Sequence, residues 1–373
     1  MRIGVDATGL VERPTGIGNY VTPVLTALLE AHPEATFFLY GNSPVVWPEA
    51  ANVVRRVKTP RRRGPYWQNT HLASMLAQDR PDVFWAANGL LPVRRPRSMG
   101  VVATVHDLVY RYAGATLPWY SRLGRAAFQP VAARSADRLV AVSRATAVDV
   151  ERAYGRTVDA VLHPLVADCF GRPAPAELAR VRAERGLDRP YLLTLGTLEP
   201  RKNLVGLLTA YLRCREQGLE LPQLVVVGGR GWRDAQIERT VARAEESGTV
   251  RRLGYVATAD LPALYAGADA FLLPSLYEGF GMPVVEAQLC GVPVLHGEHA
   301  SMVEAGAGVG TVVRTDVDGL AADLGALARG ELPLACRLPQ TVERDPAGHA
   351  SVMWRLFEES IEAAAARTRG RRQ

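Results

Sequence analysis

The segment Thr194-Leu195-Gly196-Thr197-Leu198-Glu199-Pro200-Arg201-Lys202-Asn203 carries residue types suited to holding a strongly anionic group. An apolar run ends at Leu195 and a helix-like stretch begins near Asn203, so the segment reads as a turn from strand to helix. Gly196 lets the backbone turn and come close to a ligand. Free N–H groups at the following helix start favour a bound anion. Arg201 offers a planar fork to phosphate oxygens, and Lys202 a compact charge. All but two of the 44 basic residues are arginine, the lysines being Lys58 and Lys202, so a lysine at this turn is informative. Neutralising a diphosphate is the chemistry this turn suits. A solvated Arg-Lys pair on a surface loop is the plain alternative.

A second segment, Ser275-Leu276-Tyr277-Glu278-Gly279-Phe280-Gly281-Met282-Pro283-Val284-Val285-Glu286-Ala287, follows another apolar run. Glu278 sits in a glycine-rich turn and Glu286 inside the next helix. At about 1.5 Å per helical residue their backbones are roughly 12 Å apart or more. That spacing suits two carboxylates gripping hydroxyls at opposite ends of one ligand, not two acids flanking one bond. Gly279 and Gly281 leave backbone N–H groups able to face the same ligand. Glu286 lies among Val284, Val285, Ala287 and Leu289, a poor place for an unpaired charge.

Both turns must be delivered by strand ends. A chain of 373 residues is long enough for two domains. With 48% hydrophobic and 22% charged residues, the composition is globular and argues against long disorder. Ile3–Asp6, Thr36–Tyr40, Val83–Ala86, Val101–Val105 and Leu139–Val142 read as buried strands. Asn19–Glu30 and Tyr66–Ala77 read as amphipathic helices between them. Strand, helix, strand is the pattern of a parallel sheet covered on both faces. A Pro- and charge-rich connection runs from about 167 to 189. The rhythm then restarts with strands Tyr191–Leu195, Leu224–Val227, Val250–Leu253, Ala270–Leu273 and Val292–Leu295. Helices fall at about Leu204–Gln217, Arg233–Ser247, Ala259–Ala266 and Pro283–Cys290. The expectation is α/β: two doubly wound domains, 1–168 and 187–349, facing across a cleft, with ligands beyond the strand carboxyl ends. A helix over Ala350–Ala366 is expected to pack back on the first domain, ahead of a basic tail, Arg367–Gln373.

In this order and spacing the two segments resemble the retaining nucleotide-sugar glycosyltransferases of family 4, which have the GT-B fold of two Rossmann-like domains. Glu278 and Glu286 match that family's E-x7-E motif, and Glu199-Pro200-Arg201-Lys202-Asn203 its phosphate-binding turn. Further matches are Thr15-Gly16-Ile17-Gly18-Asn19-Tyr20, Thr104-Val105-His106-Asp107-Leu108, Ala141-Val142-Ser143-Arg144 and Val226-Val227-Gly228-Gly229-Arg230-Gly231-Trp232, so the resemblance covers nearly the whole chain. It implies that Arg201 and Lys202 hold the donor diphosphate and stabilise its departure, beside Gly196. Glu278 would bind hydroxyls of the transferred sugar, helped by backbone at Gly279, Phe280, Gly281 and Met282. Glu286 would bind the ribose, and backbone at Gly254, Tyr255 and Val256 would lie by the base. His106 would reach the sugar's primary hydroxyl, while Gly16 and Gly18 leave room for the diphosphate. Asn19, Tyr20 and Asp107 fall on the acceptor side. The implied partners are a nucleotide diphosphate sugar and a hydroxyl-bearing acceptor, whether glycan, lipid-linked or small molecule. No cofactor and no metal are required. Acceptor loops are expected at Val11–Pro14, Pro60–Trp67 and Ala113–Arg122, which include Arg61-Arg62-Arg63, Trp119 and Tyr120.

The sequence departs from the family at Leu162-His163-Pro164-Leu165, at His296-Gly297-Glu298-His299 and over Arg314–Pro346. Gly16-Ile17-Gly18 lacks the third glycine of a dinucleotide fingerprint and follows its strand too distantly, which argues against NAD. Asp316-Val317-Asp318 has a metal-binding look but lies outside both motifs. His296 and His299 with Glu298 have the residue types of a zinc site, although such groups in a turn are more often simply polar. Cys169, Cys214, Cys290 and Cys336 are far apart and read as reduced thiols. The net charge of +6 suits anionic partners without choosing among them. Scattered arginines without interleaved aromatics argue against nucleic acid. With no long apolar run and no leader-like start, a cytoplasmic location is expected; the basic tail would suit the inner face of a membrane. Two other readings remain: an inverting transferase or nucleotide-sugar epimerase using His106 with Asp107 as base, and a non-catalytic nucleotide-sugar or nucleic-acid binder.

Overall fold

A computed structural model describes residues 1–12, 16–59, 64–229, 231, 234–334 and 344–369. Arg13-Pro14-Thr15, Pro60 through Arg63, Arg230, Trp232, Arg233, Cys336 and the tail beyond Arg369 lie outside the described residues. The chain forms two compact units. One comprises Met1–Leu108, Tyr120–Leu165 and Glu343–Gln373; the other comprises Val109–Trp119 and Val166–Val342.

The first unit is built on β1 (Arg2–Asp6), β2 (Thr36–Gly41), β3 (Val53–Val57), β4 (Val83–Ala86), β5 (Gly100–Val105), β6 (Arg138–Ala141) and β7 (Ala160–Val161). These lie in the order β3-β2-β1-β4-β5-β6-β7, all parallel. The order reverses between β1 and β4, which makes their carboxyl ends a switch point. β3 and β7 escape a hydrophobicity reading for different reasons. β3 is an edge strand whose Arg55 and Arg56 are exposed, and β7 is two residues long.

Three helix boundaries differ from the sequence reading. The first helix runs Gly16–Ala31 and takes in Gly16-Ile17-Gly18, which the sequence placed in a loop. It can begin there because Gly9 comes close: a Cβ on Gly9 would sit 2.9 Å from the Gly18 nitrogen. The expected helix Tyr66–Ala77 is broken into Pro65–Trp67, a π-helical turn Gln68–Leu72, and Ala73–Asp79. The last helix is longer than expected, Pro346–Arg369. It buries Met353, Leu356 and Phe357, brings Phe357 to 6.4 Å from Trp85, and joins Glu359 to Arg138 at 2.7 Å. Gly100 makes this packing possible, since a Cβ there would meet the Ser360 carbonyl at 2.7 Å.

The second unit repeats the plan with β8 (Tyr191–Leu195), β9 (Gln223–Val227), β10 (Val250–Gly254), β11 (Ala270–Leu273), β12 (Val294–His296) and β13 (Thr311–Val312). The order is β10-β9-β8-β11-β12-β13, again all parallel. Period-two alternation divides its strands between two cores. Leu193, Val225, Phe271, Leu273 and Val294 face one side; Leu192, Leu224, Val226, Leu272 and Leu295 face the other. The second of these cores is closed by the helix Val317–Ala328 through Leu320 and Leu324. That helix lies in the stretch where the family pattern is lost, yet its apolar spacing is intact.

Candidate functional site

β8 and β11 are adjacent, with Leu193 opposite Phe271, and the strand order reverses between them. The two motif turns leave from these two carboxyl ends. After Leu195 the backbone turns at Gly196, at φ +153°, and the Lys202 side chain folds back to 3.2 Å from where a Gly196 Cβ would be. A 3₁₀ turn, Pro200–Lys202, closes on Asn203 in the left-handed region at φ 58°. The Asn203 amide donates to the Thr315 carbonyl at 2.7 Å, which fixes the start of the helix Leu204–Glu216. The two turns are joined by the Leu276 N–H donating to the Arg201 carbonyl at 2.8 Å.

Glu278 stands at the centre. Its Oε2 accepts from Arg201 Nη1 at 2.5 Å. Its Oε1 accepts from Ser275 Oγ at 2.9 Å and lies 2.5 Å from Lys202 Nζ. Ser301 Oγ donates to the Glu278 carbonyl at 2.8 Å. The other face of the Arg201 guanidinium pairs with the buried Glu199. Burial works to raise the Glu278 carboxyl, but the charges of Arg201 and Lys202 and their hydrogen bonds overcome it and hold it at about 2. The expected cationic pocket is therefore a balanced group of two cations and two carboxylates. An arriving anion would have to share or displace these pairs.

Glu286 occupies the helix Met282–Leu289, which starts at Gly281, at φ +112°. The residue keeps one side open, while its carboxyl group is enclosed by protein. Burial pushes that carboxyl up to about 7, against a hydrogen bond from the Tyr265 hydroxyl at 2.9 Å and the charge of Lys202. Lys202 thus acts on both glutamates. Phe280 and Met282 pack against the neighbouring core. At the end of β10, Gly254 turns at φ +69°, Tyr255 is exposed and Val256 is buried. The Gly228 N–H donates to the Gly254 carbonyl at 2.8 Å and the Gly196 N–H to Val227 at 3.0 Å, which aligns three strand ends.

In the first unit, His106 follows β5, and its Nε2 lies 2.7 Å from the Ala87 carbonyl. A carbonyl only accepts, so Nε2 carries the proton and Nδ1 is the acceptor. Desolvation lowers the His106 pKa, so the ring is neutral. Asp107 lies 3.8 Å from Arg125. Gly16 is open, with nothing near its Cβ position, and Gly18 is buried. Asn19 is exposed. Tyr20, placed by sequence on the acceptor side, is instead buried edge-on to His106 with centroids 5.1 Å apart, so it supports the imidazole rather than offering a surface.

Several contributors carried no role in the sequence reading. Glu199 and Ser275 stood inside the quoted motifs, but only packing shows that they orient Arg201 and Glu278. Ser301 and Tyr265 are remote in sequence and gave no signal. Asp6, at the end of β1, is buried and pushed up to about 6 by desolvation, while its Oδ1 accepts from the Thr8 backbone at 3.0 Å. The features with a metal-like look have structural uses. Asp316 Oδ1 caps the helix Val317–Ala328 through Gly319 N at 2.8 Å, and Asp318 pairs with Arg213. His296 is packed against Gly306 and Gly310, and His299 caps the helix Ala300–Gly306. Among the described residues, no group of three His, Cys, Asp or Glu is placed to hold a metal.

Two family models match the chain: Glycosyltransferase Family 4 over residues 14–165 and Glycosyl transferases group 1 over residues 177–327. The chain thus pairs a family 4 domain with a group 1 glycosyl transferase domain, in a GT-B-type fold. The chain is 35% identical over 252 residues to the O-antigen chain mannosyltransferase B of Escherichia coli, a match covering 65% of the chain and 64% of that protein. It is 30% identical over 250 residues to the GDP-mannose-dependent alpha-(1-6)-phosphatidylinositol monomannoside mannosyltransferase of Mycolicibacterium smegmatis, covering 63% and 62%. The matched stretch thus spans somewhat less than two thirds of each relative. Among solved structures, Anabaena HepE in complex with UDP and glucose aligns over 98% of the chain and 99% of its own, with a TM-score of 0.65 at 17% identity. That likeness speaks for the fold.

Proposed function

We propose that the protein moves a hexose from a nucleotide diphosphate sugar to a hydroxyl acceptor, with retention, to form an α-glycoside. The observation that carries this reading is the clasp of Arg201 and Lys202 around Glu278 at the β8/β11 switch point. The acceptor hydroxyl attacks the anomeric carbon on the face the diphosphate leaves. The C–O bond to the diphosphate breaks as the new glycosidic bond forms. A departing phosphate oxygen takes the hydroxyl proton. Arg201 and Lys202 receive the leaving charge, which frees Glu278 to accept hydrogen bonds from sugar hydroxyls. Glu286, once ionised, accepts from the ribose. Neutral His106, with Nδ1 as acceptor, suits the sugar's primary hydroxyl. The relatives' names favour a mannosyl donor, so GDP-mannose is the first to test. A thermal-shift screen of GDP-, UDP-, dTDP- and ADP-sugars should give about 2.7 kcal/mol of stabilisation at a hundredfold excess over Kd for the true donor. NMR of the product should then show the donor's anomeric configuration retained. An inverted product would replace the retaining reading with the inverting one, and no response to any donor would overturn both.

A further inference from the structure

The helix Trp119–Ser135 is apolar on its outward side. Gln129, Ala132 and Ala133 are buried, whereas Trp119, Tyr120 and Leu123 are 69%, 65% and 60% exposed, with Ala126, Ala127 and Val131 exposed beside them. At about 100° per residue these six fall within an arc of roughly 140°, so they form one stripe. A helix on a protein surface ordinarily turns its charged face to water. Here the helix carries Arg122, Arg125 and Arg134 and no acidic residue. Arg125 pairs with Asp107, while Arg122 and Arg134 are exposed at the border and far end of the stripe. At the helix's carboxyl end, Arg95 donates to the Ser135 carbonyl at 3.0 Å, which brings the loop with exposed Val93, Arg94 and Arg97 alongside.

We propose that this helix face docks on an anionic lipid bilayer. Trp and Tyr side chains settle at the level of lipid headgroups, aliphatic side chains enter the acyl boundary, and arginines reach anionic headgroups. A second copy of the chain is a poorer occupant, because the self-contact would set arginines against arginines with no acid on the helix to meet them. Among the described residues no helix is long and apolar enough to cross a membrane, so the helix lies in the interface rather than spanning it. The proposal is independent of the donor assignment, since binding is scored without turnover.

The test is co-sedimentation of the full chain with vesicles of phosphatidylglycerol and phosphatidylcholine, against vesicles of phosphatidylcholine alone. The wild type should bind the anionic vesicles and release as salt is raised. Leu123→Glu and, separately, Val131→Glu should weaken that binding by about tenfold or more. Both should leave donor thermal shift and circular dichroism unchanged, because neither residue belongs to the donor cluster. Absence of vesicle binding by the folded wild type would overturn the proposal. So would variants that bind as the wild type does, or a Leu123→Glu change that turns a dimer into a monomer in sedimentation velocity without altering vesicle binding.

Discussion

Glu286 is where folding and ligand binding pull against each other, and Glu286→Gln separates the two. Its carboxyl ordinarily titrates at 4.5 and is pushed up to about 7 by burial. The folded state therefore holds this proton more tightly than the unfolded chain does. That contribution to stability is intact below 4.5 and is lost progressively as pH rises to about 7. At about 1.4 kcal/mol per pH unit the gap is worth about 3 kcal/mol, and solvent on the open side of the residue trims it to about 2–3 kcal/mol. Tyr265 and Cys290 face the same carboxyl, but burial places the Tyr265 hydroxyl well above its usual range and the Cys290 thiol at about 12, outside this window. Lys202 supplies the remaining nearby charge. Glutamine keeps the shape and can still accept from Tyr265, but it never ionises. The variant should match the wild type near pH 4.5 and exceed it at pH 8, by about 4–12 °C in melting temperature for a unit of this size. In the proposed function the ionised carboxylate is the form that would accept from a ribose, so the variant should bind donor roughly 10–150-fold more weakly at pH 8. Wild-type donor affinity should improve as pH rises through 7 and then level off. Melting curves collected from pH 4.5 to 8, with donor titrations at the same points, measure both. Parallel wild-type and variant stability curves across that range would refute the burial argument.

Further outcomes follow from the same geometry. Lys202→Ala should lower kcat by about 10²–10³ with the fold intact, because in the proposed function it removes a preorganised charge that would meet the leaving group; near-normal turnover by a folded variant would remove the residue's role. Arg201→Ala should cost about 3–5 kcal/mol of stability in urea denaturation, since it leaves Glu199 and Glu278 buried with less compensation. Gly228→Ala should cost about 3 kcal/mol. A Cβ at that position, at φ +150°, would overlap the Gly196 carbonyl, and a variant with an unchanged denaturation midpoint would show that the backbone there relaxes freely.

The amino-acid sequence by itself determined the alternation of apolar runs and amphipathic stretches, and with it two parallel-sheet units. Buried parallel strands are uninterrupted apolar runs, so Val83–Ala86, Tyr191–Leu195 and Ala270–Leu273 match the observed strands residue for residue. Edge strands have one neighbour and tolerate charge or brevity, which hid β3, β7 and β13. The two motif turns were legible because glycine, a rare lysine and paired glutamates are chemically distinctive in short spans. Tertiary structure alone decided what those residues do to one another. Adjacency of β8 and β11 brings Arg201 and Lys202 onto Glu278 across more than 75 positions of chain. The same packing brings Ser301 and Tyr265 to the two glutamates and turns a pocket that reads as cationic into a balanced one. Charge balance and burial depend on neighbours in space. Those neighbours are set by strand order, which no local window of sequence contains.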